Sequence, residues 1–417
     1  MNFAGYRCSV CGSEYGRSEE LYLCPKDRGC LDVLLDIEAI RKTGGPGQLV
    51  DEGREPSHWR YLPLLPVTDP GGQGTPLRRV GWTQVYSLPA LRNKRKLRAF
   101  WLKDEGCNPT GSLKDRASSV VVARARQIGA QTVVTASTGN AGAALAGMAA
   151  ALQLQAVVFA PSSAPPAKLA QMLAFGARVI LVEGNYDQAS AVCLESVAQW
   201  GWYCRNTGYN PFTAEGKKTV AFEIWESVLR NQIELPEGAP LSIFVSVGDG
   251  NIISGLYKGF RDLAALGWLN FQPRIFGVQA EGSAAIARAY QAGVEQIQPV
   301  RAATLADSIS VDMPSDGVRA LRAVRETGGT YVLVKDEQIL QAIVELGRVG
   351  VFAEPAAAAS YAGFLHALAL GEIGPADPAL VLCTGNGIKD ITAVQKAVPP
   401  APVIEPTVQA VKRLLKL

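Results

Sequence analysis

The sequence predicts an α/β protein with two wound domains built on parallel-rich sheets, preceded by a small cysteine-containing ribbon-like segment. Three observations support this fold class. Short β-rich runs alternate with amphipathic helical runs over most of the chain, which is the pattern of parallel sheets flanked by helices. The 417 residues exceed the size of one ordinary domain. Four of the eight cysteines lie within the first 30 residues.

The elements follow from this alternation. Strands are predicted where β-branched and apolar residues run together between turn residues, at 99–103, 132–136, 156–160, 178–182, 243–247, 274–279 and 379–383. Helices are predicted to begin near Asn140, Pro166, Tyr186, Ala214, Ile252, Ser283, Asp336 and Pro355. Ligands bind beyond the carboxyl ends of strands in such sheets, so the residues that follow each strand are the candidates for function.

Composition excludes several classes of function. A net charge of +3 is small for this length, so we expect neither a nucleic-acid nor a membrane partner. No apolar run reaches the roughly 18 residues of a membrane span. Residues 1–10 carry no apolar signal-peptide core, and the later cysteines are scattered, so we expect a cytoplasmic protein. With only two histidines, a histidine-based triad is not expected.

The first thirty residues carry a candidate metal site. Cys8 and Cys11 have the two-residue spacing with which a zinc knuckle presents both thiolates to one metal. Cys24 and Cys30 have five residues between them, which is wider than usual. We predict that these four cysteines hold a structural zinc ion. The alternative is four free thiols in a small capping module.

The stretch from Asn108 to Arg116, NPTGSLKDR, carries the main candidate nucleophile. Asn-Pro followed by Thr-Gly-Ser is typical of a turn, and Ser112 is the predicted N-cap of the helix that follows. Lys114 then lies in the first helical turn. There the helix dipole opposes its charge, lowers its pKa and favours the neutral amine that attacks carbonyl groups. A solvated surface lysine is the alternative.

Three loops after predicted strands carry polar groups. The first, Ser137 to Gly142, offers hydroxyls and a helix amino terminus to a carboxylate, and the amide of Asn140 can donate to an aromatic oxygen. The second, Gly248 to Gly255, lets successive N–H groups converge on a phosphate, provided that Asp249 points away. The third begins at Thr384, whose hydroxyl can bond a ring nitrogen. Each is also an ordinary glycine-containing turn.

Taken in order, these four segments resemble the fold-type II pyridoxal-phosphate enzymes, and among them threonine synthase and its relatives. The likeness runs from about Gly72 to about Asp390. The amino-terminal cysteines are similar to those of some members. The resemblance implies pyridoxal 5'-phosphate as cofactor, a small-molecule amino acid as substrate and a homodimer as the assembly.

The resemblance also implies roles for single residues. Lys114 would be the Schiff-base lysine and would move protons. Asn140 would contact the phenolic oxygen of the cofactor and, with Ser137 and Thr138, frame the substrate carboxylate. The cofactor phosphate would be held by Gly248, Asp249, Gly250 and Asn251. Thr384 would face the pyridine nitrogen, and a neutral hydroxyl there suits elimination and replacement over transamination.

The resemblance weakens at the residues that are expected to recognise the substrate. Threonine synthases carry an arginine where this chain has Thr213, and a phosphate site without it loses charge-assisted bonds that contribute roughly 1.5 to 3 kcal/mol each. The candidates to replace it are Lys217, Lys218, Arg116 and Lys168. Asn386 stands where the family has a histidine. Residues 304–309 are closer to a stretch of threonine and serine dehydratases.

We therefore predict a lyase most like threonine synthase, which converts O-phosphohomoserine to threonine and phosphate. Three alternatives stay open: a dehydratase-like ammonia-lyase acting on threonine or serine, a cysteate-synthase-like enzyme acting on O-phosphoserine, and a catalytically silent ligand sensor. The predicted division is a zinc-ribbon-like segment at 1–48, a large domain formed by 49–111 and 209–417, and a small α/β domain at 112–208.

Overall fold

The structure, a computed structural model, describes residues 2–52 and 55–416. The strands are β1 (Phe3–Cys8), β2 (Glu14–Gly16), β3 (Leu31–Leu35), β4 (Val85–Tyr86), β5 (Phe100–Asp104), β6 (Thr132–Ala136), β7 (Gln155–Pro161), β8 (Arg178–Val182), β9 (Tyr203–Cys204), β10 (Leu241–Ser246), β11 (Pro273–Ala280), β12 (Tyr331–Val334) and β13 (Ala379–Cys383). The α-helices are α1 (Ile37–Thr43), α2 (Pro46–Glu52), α3 (Pro89–Arg95), α4 (Lys114–Gln127), α5 (Asn140–Ala151), α6 (Pro166–Ala174), α7 (Tyr186–Trp200), α8 (Phe212–Lys217), α9 (Thr219–Leu229), α10 (Asn251–Leu266), α11 (Ala285–Gln291), α12 (Gly317–Glu326), α13 (Asp336–Gly347), α14 (Pro355–Leu370), α15 (Ile391–Gln395) and α16 (Val408–Leu415).

The strands form three sheets. The amino-terminal sheet has the order β2-β1-β3 and is antiparallel. The large sheet has the order β12-β11-β10-β13-β5-β4, with every neighbouring pair parallel except the edge pair β4–β5. The small sheet, β8-β7-β6-β9, is parallel throughout. The predicted α/β class with two parallel-rich sheets and an amino-terminal module is confirmed.

The large sheet is buried on both faces. Along β10, Ile243 and Val245 pack into one core cluster, which includes Phe260 of α10. Phe244, between them, belongs to the opposite core and stacks on Phe276 with 4.5 Å between ring centroids. Alternate side chains of a strand point to opposite faces, so a strand covered on both sides reads as a continuous apolar run. This double packing gives the loops at its carboxyl ends a rigid support.

Helix α8 approaches α4 closely at one glycine. A Cβ on Gly216 would lie 1.9 Å from the main-chain oxygen of Arg116, so the two helix backbones meet only because residue 216 has no side chain. The next residue of α8 is Lys217, and α4 begins with Lys114. The contact therefore brings two lysines from different parts of the chain to one region.

The start of α4 differs from the prediction in one respect. The helix begins at Lys114 as expected, but Leu113 occupies the N-cap, and the hydroxyl of Ser112 is buried without a hydrogen-bond partner. The turn is held instead by Asp115, whose carboxylate accepts hydrogen bonds from the main-chain N–H of Thr110, at 2.7 Å, and from its hydroxyl. A carboxylate inside the helix thus holds the turn that precedes it, and the predicted side-chain cap from Ser112 is absent.

Within residues 2–52 and 55–416, no helix has both the length and the apolar character needed to cross a membrane.

Candidate active site

A cavity of about 1140 Å³ lies where the two parallel sheets present their carboxyl ends. Its walls include the residues that follow β6 and β9 of the small sheet and β10 and β13 of the large sheet. The residues that the sequence assigned to cofactor and substrate all line it: Lys114, Ser137, Thr138, Asn140, Gly248, Asp249, Gly250, Asn251 and Thr384. The structure therefore brings the four separate motifs to one place.

Lys114 projects from the first turn of α4 into this cavity. The surrounding protein lowers the pKa of its amine from 10.5 to about 8, mainly by burial and then through the positive charge of Arg205. Asp249 and Glu354 act in the opposite direction. A substantial fraction of the amine is then neutral near pH 8, which is the state that attacks a carbonyl carbon and accepts a proton.

Asn140 is held by the carboxylate of Glu354, the residue before α14. Its amide nitrogen donates to both oxygens of Glu354, at 2.9 and 3.0 Å. Burial raises the pKa of Glu354, while the bond from Asn140 lowers it. A Cβ on Gly385 would lie 2.4 Å from an oxygen of Glu354, so this glycine makes room for the carboxylate. Glu354 is thus a buried member of the site that fixes the orientation of Asn140.

Ser137 shapes the loop after β6. Its oxygen accepts hydrogen bonds from the main-chain N–H groups of Gly139, at 3.2 Å, and Gly142, at 3.0 Å. These bonds hold the turn at the amino end of α5 and leave the hydroxyl proton of Ser137 available to a ligand. Thr138, the next residue, also lines the cavity. Hydroxyls and a helix amino terminus suit a carboxylate.

The glycine turn after β10 has the geometry of an anion site. Gly250 has φ of 90° and precedes Asn251, the first residue of α10, so main-chain N–H groups lie at a helix amino terminus. The carboxylate of Asp249 accepts a hydrogen bond from the hydroxyl of Ser315 at 3.0 Å. Asn251 donates to Asp316 at 2.7 Å, which fixes its side chain.

Thr384 connects the end of β13 to the candidate nucleophile. Its main-chain oxygen accepts a hydrogen bond from the N–H of Leu113, the residue before Lys114, at 2.9 Å. Its hydroxyl lies 3.5 Å from that of Ser246, at the end of β10. Two hydroxyls therefore meet at the base of the cavity, where a ring nitrogen can be bonded without a negative charge beside it.

Two further buried basic side chains line the cavity and form no ion pair among the described residues. Lys217 donates to the side-chain oxygen of Asn251, and its pKa is lowered well below the usual value by burial and by the charges of Lys114 and Arg205. Arg205, directly after β9, is fully buried. Sequence reasoning named Lys217 only as one of several cations and missed Arg205, because β9 is two residues long and has no periodic pattern.

The other candidate cations are not themselves part of the cavity wall, and each lies in an ion pair. Arg116 pairs with Glu105 and Glu223, Lys218 with Glu215 and Asp262, and Lys168 with Asp307. Thr213 is fully buried, and its hydroxyl donates to the main-chain oxygen of Asn210 at 2.7 Å. Of the four predicted replacements for the arginine, Lys217 alone lines the cavity among the described residues.

The amino-terminal cysteines form a cluster that differs from the predicted set. Potential ligand atoms of Cys8, Cys11, Cys24 and Asp27 lie within 4.8 Å of one another. Cys30 lies apart, because its sulfur faces the main-chain oxygens of Gly208 and Ser315 at 3.2 and 3.3 Å. Asp27 takes its place, since the turn from Cys24 folds the aspartate back toward Cys8, 3.3 Å from its sulfur.

Comparison with known proteins identifies the family. A family model described as pyridoxal-phosphate dependent enzyme matches residues 77–385. The threonine synthase of Methanosarcina acetivorans is 36% identical over 413 residues, which cover 98% of this chain and 98% of that protein. The threonine synthase of Methanocaldococcus jannaschii is 35% identical over 98% of this chain and 99% of that protein.

Solved structures agree on the fold. The processed form of threonine deaminase isoform 2 from Solanum lycopersicum superposes with a TM-score of 0.66 at 21% identity, covering 85% of this chain and 94% of that chain. Maize serine racemase gives a TM-score of 0.63 at 21% identity, covering 75% of this chain and 91% of that chain. The resemblance drawn from the motifs is confirmed. The chain belongs to the fold-type II pyridoxal-phosphate enzymes, in the threonine synthase family or among its close relatives, and is a pyridoxal-phosphate-dependent lyase.

Proposed function

We propose that the protein converts O-phosphohomoserine and water to threonine and phosphate. The observation that carries this proposal is a buried amine of lowered pKa, Lys114, in the same cavity as the glycine turn that ends at Asn251. The full-length similarity to the threonine synthase of Methanosarcina acetivorans supports this reaction over the others open to the family.

The residues of the cavity fit pyridoxal phosphate. Lys114 offers a neutral amine to the aldehyde, and the N–H groups between Gly248 and Asn251 offer donors to the phosphate. The Thr384 hydroxyl, 3.5 Å from that of Ser246, offers a neutral partner to the ring nitrogen. When bound, the cofactor accepts electron density from the Cα of the substrate and so stabilises negative charge there.

Lys114 and Asn140 carry the proposed chemistry. The amine of Lys114 takes the proton from the substrate Cα and returns protons later in the reaction, as its pKa of about 8 makes both protonation states accessible. Asn140, fixed by Glu354, orients the cofactor ring, while the hydroxyls of Ser137 and Thr138 hold the substrate carboxylate. No histidine lines the cavity among the described residues, so proton transfer rests on the lysine.

The division of the chain fits this chemistry. We assign 112–208 to a small domain that carries the loop of Asn140, and 49–111 with 209–417 to a large domain that carries the glycine turn. Closure of one over the other would control water at the reacting atoms. We further propose a homodimer and a cytoplasmic location.

Product analysis with purified holoenzyme tests the reaction. We expect threonine and equimolar phosphate from O-phosphohomoserine, measured by amino-acid chromatography and a phosphate assay. Keto acid from threonine or serine would replace this assignment with an ammonia-lyase. Cysteate from O-phosphoserine and sulfite would replace it with a β-replacement enzyme. A cofactor spectrum that no amino acid changes would indicate a silent sensor.

The amino-terminal cluster is proposed to hold zinc. The sulfurs of Cys11 and Cys24 lie 3.7 Å apart. Two thiolates on one tetrahedral zinc ion lie about 3.8 Å apart, given a Zn–S distance of about 2.3 Å. Cys8 and Asp27 complete a set of three sulfurs and one oxygen. Because this module has only three short strands, a metal would supply much of its stability.

Metal analysis distinguishes the two possible ligand sets, in which the fourth ligand is either Asp27 or Cys30. We expect about one zinc per chain in protein purified without chelator, and loss of that zinc in Cys8→Ser and Asp27→Asn. Cys30→Ser is the matched control and should keep the metal, because its sulfur lies outside the cluster. A folded, metal-free wild type would refute the zinc proposal. An equal loss of zinc in Cys30→Ser would instead support the four-cysteine ligand set predicted from the sequence.

A further inference from the structure

We infer that Arg205 binds the phosphate of a phosphorylated amino-acid substrate, in a subsite separate from the one that holds the cofactor phosphate. This inference rests on the proposed function, since it names the residue by which the same cavity selects its substrate. None of the sequence motifs contains Arg205, and its candidate role is inferred from its position in the structure.

The first argument is an unsatisfied buried donor. The Nε of Arg205 donates to the hydroxyl of Ser118 at 3.1 Å, and one terminal nitrogen donates to the hydroxyl of Thr207 at 2.7 Å. The other terminal nitrogen is buried with no partner. Among the described residues, no carboxylate forms an ion pair with Arg205, and burial lowers its pKa to about 10. A buried guanidinium without a counter-ion is costly, so an anionic ligand is the missing partner.

The second argument is location. Ser118 lies one helical turn after Lys114 on α4, so the guanidinium runs along the helix face that bears the amine. Arg205 follows a strand of the small sheet, whereas the turn ending at Asn251 belongs to the large sheet. The cofactor phosphate occupies that turn in our assignment, so an anion at Arg205 is a second one.

The third argument is the charge of the cavity. Lys114, Arg205 and Lys217 line it, and the pKa of Lys217 is depressed by the other two. The nearby carboxylates already have partners, as Asp249 accepts from Ser315 and Glu354 from Asn140. The three basic side chains therefore repel one another, and a phosphate bound between them would relieve that repulsion.

The subsite selects the class of substrate. A guanidinium can bond a phosphate through two parallel N–H groups and neutralise it as it leaves the substrate carbon. Threonine and serine carry only a hydroxyl, which would leave the buried charge unpaired. Arg205 thus takes the role of the arginine that threonine synthases carry at the position of Thr213.

The test uses Arg205→Gln and Arg205→Lys holoenzymes. We expect Arg205→Gln to raise the KM for O-phosphohomoserine and the inhibition constant for inorganic phosphate by about 10- to 100-fold, the loss of one charge-assisted pair. Threonine binding, followed by the cofactor spectrum, should stay at the wild-type value because threonine has no phosphate. The constants of Arg205→Lys should lie between those of the wild type and Arg205→Gln, since lysine keeps the charge but not the two parallel N–H donors of the guanidinium. Arg178→Gln, an exposed arginine of the same small sheet, is the control and should change nothing.

Each other outcome overturns the inference. Unchanged constants in Arg205→Gln would remove Arg205 from the subsite. Equal weakening of threonine binding would indicate a structural role, and loss of bound cofactor would assign Arg205 to the cofactor phosphate. If Arg205→Gln does not fold, the inhibition constant for inorganic phosphate is measured in Arg205→Lys instead. An unchanged constant in that variant would overturn the inference. Should the wild type fail to convert O-phosphohomoserine, the proposed function fails, while inorganic phosphate binding to wild type and Arg205→Gln still decides the subsite.

Discussion

Replacing Lys114 with alanine is expected to reduce turnover by at least about 1000-fold, because the variant loses both the group that attaches the cofactor and the group that moves protons. The pKa of about 8 supports this double role, since an ordinary lysine would be almost fully protonated at neutral pH. Treatment of the wild type with borohydride should fix the cofactor on the peptide that contains Lys114. Peptide mapping by mass spectrometry checks this directly.

Lys114→Arg separates charge from nucleophilicity. Arginine keeps a positive charge in the cavity but stays protonated, so this variant should be as inactive as Lys114→Ala. Both variants should still fold and bind the cofactor without a covalent bond, because the glycine turn is unchanged. Wild-type turnover in Lys114→Arg, or cofactor fixed on another peptide, would assign the chemistry to a different amine.

Replacing Gly216 with alanine is expected to destabilise the protein by about 3 kcal/mol or more, which is the upper range for overpacking. The added Cβ would lie 1.9 Å from the main-chain oxygen of Arg116, and a backbone carbonyl cannot move aside as a side chain can. Helices α4 and α8 would have to separate, and Lys217 would leave the cavity with them. Chemical denaturation monitored by circular dichroism measures the free energy of unfolding.

Gly347→Ala is the matched control. It is also a helical glycine, exposed at the end of α13, and its added Cβ would meet no atom within 4 Å. Alanine favours helix over glycine, so this variant should keep the wild-type stability or gain up to about 1 kcal/mol. The same loss in both variants would mean that glycine flexibility, and not the helix contact, explains the effect at Gly216.

The parts of the site that lie close in sequence were predictable. The turn before Lys114 and the loops after β6, β10 and β13 are marked by glycine, serine and asparagine between apolar runs. Parallel strands present their carboxyl ends at one edge of a sheet, which places the loops after β10 and β13 together. The loop after β6 belongs to the small sheet and joins them only through the packing of the two sheets. Three predicted strands, β6, β8 and β13, have the bounds that the structure gives them.

Other parts depend on contacts between distant segments. Glu354 reads as an ordinary residue before a helical proline, yet its carboxylate holds Asn140, which is 214 positions away. Cys30 was predicted as a ligand, but its sulfur faces Gly208, while Asp27 turns into the cluster. The expected cap at Ser112 is absent because Leu113 occupies the N-cap, while Asp115 holds the preceding turn through Thr110. Hydrophobic periodicity and residue spacing do not reveal contacts of this kind, because the partners come from segments that only the tertiary fold brings together.

The sequence alone determined the fold class and the candidate nucleophile, because turn residues and apolar alternation act within a few positions and dictate local backbone. The cofactor was implied by the resemblance of four motifs to the fold-type II pyridoxal-phosphate enzymes. The sequence did not determine which cations enter the cavity. Arg116 and Lys217 both lie near the motif helix, but Arg116 is neutralised by Glu105 and Glu223, whereas Lys217 faces the cavity. That difference arises only when α9 and the segment after β5 bring Glu223 and Glu105 to Arg116, since the free energy of a charge depends on the partners that distant segments bring to it.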